Sequence, residues 1–107
     1  MGVPLPLNSN DDARRILERE LMASVEEMVA AVHRINASCE EIQGIIRAAQ
    51  EKTEENQGLA LRTLSGSNNI RAQEVQAYLD SVTEDLNGIQ QKFEAIKESG
   101  TGYIGSL

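Results

Sequence analysis

Apolar residues recur along this chain at alternating steps of four and three. In the first half they fall at Leu21, Val25, Met28, Val32, Ile35, Cys39, Ile42, Ile46 and Ala49. In the second half they fall at Ala72, Val75, Leu79, Val82, Leu86, Ile89, Phe93 and Ile96. A mean spacing of about 3.5 residues gathers such positions on one face of a helix, as in a coiled-coil seam. Past Ala49 the same register meets Thr53 and Asn56, and the first seam fades. Between the two runs stands Ser65-Gly66-Ser67-Asn68-Asn69, a cluster of turn and cap residues. The pattern predicts a first helix over about 10–56, a connection within 57–69 and a second helix over about 70–98.

The ends carry different signals. Pro4 and Pro6 mark residues 1–9 as an extended lead-in. Ser9 or Asn10 suits an N-cap, Ser9 with Asp12 fits a capping box, and Asp11 and Asp12 suit the positive end of a helix dipole. Ser99-Gly100-Thr101-Gly102 reads as a helix stop, which leaves residues 99–107 as a flexible Gly-rich tail.

Two seamed helices on a short connection predict an all-α fold, an antiparallel two-helix hairpin of coiled-coil type. The seam from Ala72 to Ile96 spans roughly 36 Å at about 1.5 Å per residue. The first seam is longer, so a turn near residue 67 leaves the stretch 17–37 projecting uncovered; a connection starting near 53 would match the seams better. Met22, Val29, Ile45 and Tyr78 flank the seams and widen each stripe. The expectation is that a helical partner, in a homodimer or a heterodimer, completes a four-helix bundle. Its contacts would include Met22, Val29, Ile35, Ile45, Tyr78 and Leu86.

Composition narrows the function classes. The 107 residues carry a net charge of −7 and no Trp. That charge argues against nucleic acid, which needs a cationic footprint, and against anionic lipid. No stretch approaches the roughly 20 apolar residues of a membrane span. The N-terminus lacks the basic and apolar regions of a secretory signal, and Pro6 stands where a myristoylation motif needs Ser or Thr. The lone Cys39 excludes an internal disulfide and reads as a small buried seam residue. His33 has no Cys or His at metal-ligand spacing. Glu26-Glu27, Glu40-Glu41 and Glu54-Glu55 are adjacent pairs, pointing about 100° apart on a helix, so neither member can share a reacting atom with the other. Asn36-Ala37-Ser38 matches a glycosylation tripeptide but lies mid-helix. No catalytic residues, cofactor site or metal site are expected.

The layout of two amphipathic helices about Leu64-Ser65-Gly66 resembles the WXG family of small helical hairpins exported by type VII secretion systems. There a Trp-x-Gly turn joins the helices; here Leu64 stands for the Trp and Gly66 for the Gly, with Leu64 plugging the end of the hairpin. The resemblance implies a secreted protein without a cleaved signal, acting as a secretion substrate or as the targeting partner of a larger effector. It also implies an export signal of an aromatic residue followed by an acid four positions on. Phe93 and Glu98 are the nearest equivalents, with Lys97 at the fourth position. The alternative is a cytoplasmic coiled-coil adaptor or assembly subunit. The stretch SVEEMVAAVHRINASCEEIQGI is similar to chemoreceptor signalling hairpins, and a phage or secretion-apparatus component fits the same pattern.

Overall fold

A computed structural model describes residues 7–107, with the side chains of residues 7–9 and 23 excepted. It consists of two helices, α1 (Leu7–Leu64) and α2 (Ile70–Gly105), packed against each other. At about 1.5 Å per residue, the 58 residues of α1 and 36 of α2 make rods of about 87 and 54 Å. The molecule is accordingly 101 × 19 × 18 Å, with a radius of gyration of 27.1 Å. A compact globule of this size would measure about 13 Å, so no side of either helix is sheltered except where the other touches it.

The connection is 65–69, inside the expected window, and α1 runs on to Leu64 rather than ending near 56. Ser67 N–H donates to Leu64 O at 3.0 Å, closing the turn. Asn69 is the N-cap of α2 and its Oδ1 accepts from Arg71 N–H at 2.8 Å. The lead-in expected over 1–9 is helical at 7–9, which places Ser9 and Asn10 within α1 rather than at its cap. Residues 1–6 lie outside the described residues.

The tail expected over 99–107 is helical as far as Gly105. Packing overrides the low helix propensity of its glycines. Gly100 lies against α1 so closely that a Cβ there would stand 2.9 Å from Val32 Cγ1 and 3.0 Å from Asn36 Oδ1. Tyr103 OH reaches Met28 Sδ at 2.8 Å.

The hairpin seam is turned by one residue from the expected one. On α1 the buried residues are Cys39, Gln43, Ile46, Thr53 and Ala60, and Asn36, Gln50, Gln57 and Leu64 are half-buried. On α2 the half-buried positions include Ala72, Gln76, Leu79, Thr83, Leu86, Gln90, Phe93, Lys97, Gly100 and Ile104. Both sets still step by four and three. Each helix thus keeps one expected apolar row, 25/32/39/46 or 72/79/86/93, and exchanges the other for a polar row next to it. The Gly100–Val32 approach fixes the level. Seven-residue steps from it set Phe93 beside Cys39, Leu86 beside Ile46, Leu79 beside Thr53 and Ala72 beside Ala60.

Gly66 departs from expectation as well. A Cβ there would meet nothing within 4 Å, and its backbone is not in the left-handed region. The glycine that the packing requires is Gly100. Gly100→Leu should therefore destabilise the hairpin by about 1–3 kcal/mol through overpacking. Gly66→Ala should leave the unfolding free energy unchanged or raise it by about 0.4–1 kcal/mol, by restricting the unfolded chain. Urea titration followed by circular dichroism checks both.

Candidate interaction surface

A helix whose rows are assigned this way has two unlike edges. On the first edge α1 places Gln43, Gln50 and Gln57, seven residues apart, and α2 answers with Glu94, Asn87 and Asp80, also seven apart. Gln43 Nε2 donates to Glu94 Oε2 at 3.1 Å, Gln50 Nε2 to Asn87 Oδ1 at 2.8 Å, and Gln57 Nε2 to Asp80 Oδ1 at 2.9 Å. Gln90 Nε2 donates to Gln43 O at 3.1 Å. Lys97 Nζ donates to Glu40 Oε1 at 3.1 Å and contacts Glu94 Oε2 at 3.2 Å. This ladder occupies one long side of the rod.

The displaced apolar rows gather on the opposite side. The Tyr103–Met28 contact joins them across the two helices at one end. A groove of about 300 Å³ joins them at the other, lined by Asn56, Leu59, Ala60, Thr63 and Leu64 of α1 and Val75 and Leu79 of α2. Between these points run Ile35 and Ile45 on α1, and Val82, Ile89 and Ile96 on α2. Ile45 and Tyr78 are 70% and 71% exposed, and Val75, Val82, Ile89 and Ile96 between 41% and 45%. Soluble monomers seldom expose a contiguous apolar patch above about 300–600 Å².

The six expected contact residues are distributed unevenly. Ile35, Ile45 and Tyr78 stand on the apolar edge and are exposed. Leu86 is half-buried in the hairpin seam, because it shares a row with Phe93 and Gly100, so it faces α1 and not a partner. Val29 and Met22 share a row with Asn36 and Gln43, on the side of the ladder; Val29 is half-buried and Met22 exposed. Leu64 is half-buried at the end of α1, and Gly66 is exposed in the turn. Phe93 is turned into the seam, whereas Glu98 is exposed beside Asn36, Glu40, Glu94, Lys97 and Thr101 on the ladder side. The two residues do not share a surface. Asn36, in the glycosylation-like tripeptide, is half-buried against Gly100.

Sequence reasoning missed Met28, Leu59 and Tyr103 as edge residues, and the ladder altogether. The signal for the ladder was the seven-residue return of Gln43, Gln50 and Gln57 against Asp80, Asn87 and Glu94. Cys39 is buried, as its seam position implied. Among the described residues no group of three or more His, Cys, Asp or Glu side chains converges as a metal site. No described helix is long and apolar enough to cross a membrane.

Two charges of the ladder are shifted in pKa. The Gln43 amide and then the Lys97 ammonium, by hydrogen bond and by charge, hold the Glu94 carboxyl below its ordinary value. Hydrogen bonding to Glu40 in the first place, and the Glu94 carboxylate beside it, raise the Lys97 ammonium. A lowered carboxyl adds stability above its unfolded pKa and loses it as pH falls through the folded value. A raised ammonium adds stability below its unfolded pKa and loses it as pH rises through the folded value. The hairpin should therefore melt at a steady temperature between these limits, fall in stability below about pH 4.5 and fall again above about pH 10.5. Glu94→Gln keeps an acceptor for Gln43 and should flatten the acid limb in a thermal-melt series.

No protein family, curated protein or solved structure matches this chain.

Proposed function

We propose that this chain is a helical interaction module whose apolar edge packs against further helices to complete a bundle. The observation that carries this reading is the two-sided construction of the rod. Among the described residues the inter-helix pairs of amides, carboxylates and Lys97 lie on one side, and the other side, where Tyr103 OH donates to Met28 Sδ, presents Ile35, Ile45, Tyr78, Val82, Ile89 and Ile96 to solvent. Covering such side chains is favourable by roughly 25 cal/mol per Å² of apolar surface.

Two settings for the module each draw on one feature. In the export setting the bundle is a type VII secretion substrate, or it targets a larger effector; the hairpin layout and the turn directly after Leu64 support it. In the cytoplasmic setting the chain is an adaptor or assembly subunit, which the inward-turned Phe93 favours because the aromatic half of an export signal is then not on the surface. An intact and an inactivated type VII ATPase separate the two settings. Appearance of the chain in the medium only with the intact ATPase selects export.

The interaction reading is tested in the native cell by placing a photo-crosslinking benzoylphenylalanine at Ile45, at Tyr78 or, on the ladder side, at Asn87. Adducts with another polypeptide should form from Ile45 and Tyr78 and not from Asn87. No adduct, or equal yields from all three positions, would overturn it. Ile35→Asp should abolish assembly while leaving circular dichroism unchanged, because a charge on an exposed edge is buried only in the complex. Leu86→Asp should instead unfold the hairpin, by about 3 kcal/mol or more.

A further inference from the structure

Two seams compete for the same pair of helices. The rows 32/39/46/53 of α1 and 72/79/86/93/100 of α2 belong to both. What differs is the row beside them. In the structure it is the polar one, 36/43/50/57 against 76/83/90/97, on the ladder side. The apolar one, 28/35/42/49 against 82/89/96/103, stands equally far round each helix on the other side. Passing from one seam to the other needs no sliding. It needs each helix to turn on its own axis by about 50°, half the angle between successive residues.

The apolar edge is already in register for that turn. Tyr103 OH reaches Met28 Sδ at 2.8 Å across the two helices. Steps of seven from this contact set Ile35 beside Ile96, Ile42 beside Ile89, Ala49 beside Val82 and Asn56 beside Val75. Asn56 and Val75 line one groove at the far end. Between these two points the second seam stands open, with Ile35, Val82, Ile89 and Ile96 between 41% and 51% exposed. The closest approach does not block the turn, because Gly100 and Val32 lie on the shared rows. The five-residue connection leaves room for it, since Gly66 is exposed and a Cβ there would meet nothing within 4 Å. The seam in use is also imperfect. Asn36 Oδ1 and Gln90 Oε1 are buried with no hydrogen-bond partner among the described residues, which costs stability.

We propose that the hairpin has two positions, and that α1 and α2 turn against each other by half a residue between the ladder seam and the apolar seam. The second position closes the apolar edge. Both helices bring the same side of the rod inward, so seen from one end they turn in opposite senses and roll over each other along the shared rows. The ladder position keeps Gln43, Gln50 and Gln57 on Glu94, Asn87 and Asp80. The apolar position gives up those pairs, buries the half-covered Ile42, Val82, Ile89 and Ile96 further and returns Asn36 and Gln90 to water. Each exchange is modest, since a net hydrogen bond and a half-covered side chain are worth little individually, and packed helices prefer discrete arrangements. Helix α1 is continuous from Leu7 to Leu64, so the turn also swings Leu17 and Leu21, each 65% exposed, about the axis of the rod. The device needs no partner in order to operate; it sets whether the edge is open.

The test uses the purified full chain in a Cys39→Ala background. Gln50→Cys with Thr83→Cys reports the ladder seam, where both residues line one groove. Ala49→Cys with Val82→Cys, one residue back on each helix, reports the apolar seam. Disulfide formation within the monomer is followed for each pair. The first pair should close faster, and the second should close as well. Asp80→Ala with Asn87→Ala and Glu94→Ala removes the acceptors without touching either seam's rows. It should raise the ratio of second-pair to first-pair closure by about tenfold or more. Ile89→Gln with Ile96→Gln makes the second seam polar and should slow the second pair by about tenfold while leaving the first unchanged. An unchanged ratio in an acceptor variant that circular dichroism shows to be helical overturns the proposal. So does closure of the second pair that ignores the two glutamines, and this second variant alone decides if the first loses its helix.

Discussion

Two helices that touch along a line can hide only about one strip of side chains each. In this chain the apolar stripe on each helix is wider than that strip. The helices therefore have to choose which part of the stripe to bury, and the choice decides what is left outside. They meet at the border of their stripes, joining Ile46, Cys39 and Ala60 to Leu86, Phe93 and Ala72. Small residues at several levels of the seam allow the backbones to approach, most closely at Gly100 and Val32. Most of the apolar side chains that did not fit are collected on one side, whereas Met22 and Leu61 stand exposed on the ladder side.

The same rotation brings glutamines into the hairpin, where Gln43, Gln50 and Gln57 find partners and Gln90 Oε1 is buried without one. Buried amides are tolerated when their hydrogen bonds are made. Gln43, only 6% exposed, gives its Nε2 to Glu94 and receives Gln90 on its backbone carbonyl. Repetition of amide–acceptor pairs at 43, 50 and 57 ties the two helices together at three levels along the rod.

How much of this was legible beforehand varied with the kind of signal. Helix class, helix number and the placement of the connection follow from the 3.5-residue spacing and from Ser65 to Asn69, and those are strong local signals. The helix ends are not legible in this way, because propensity alone reads Gly100 and Gly102 as a stop, whereas Gly100 is held by packing against Val32. Leu86 reads as a surface contact in the sequence because hydrophobic spacing identifies a stripe without saying which of its rows meets the neighbouring helix. Ile35, Ile45 and Tyr78 were legible as edge residues because they lie toward one side of their stripes. The ladder leaves no mark in the apolar pattern, although its seven-residue period is present in the polar one.

A common period in both helices also constrains how this chain can change length. Removing one full heptad from the middle of each helix would shorten the rod by about 10 Å and return every surviving side chain to the side it now occupies. Removing a single residue from one helix would rotate everything beyond it by about 100°, turning glutamines outward on that helix and isoleucines toward the acids of the other. Relatives of this protein should thus differ in length by sevens, counted equally on both helices, with free variation confined to the five residues between Leu64 and Ile70.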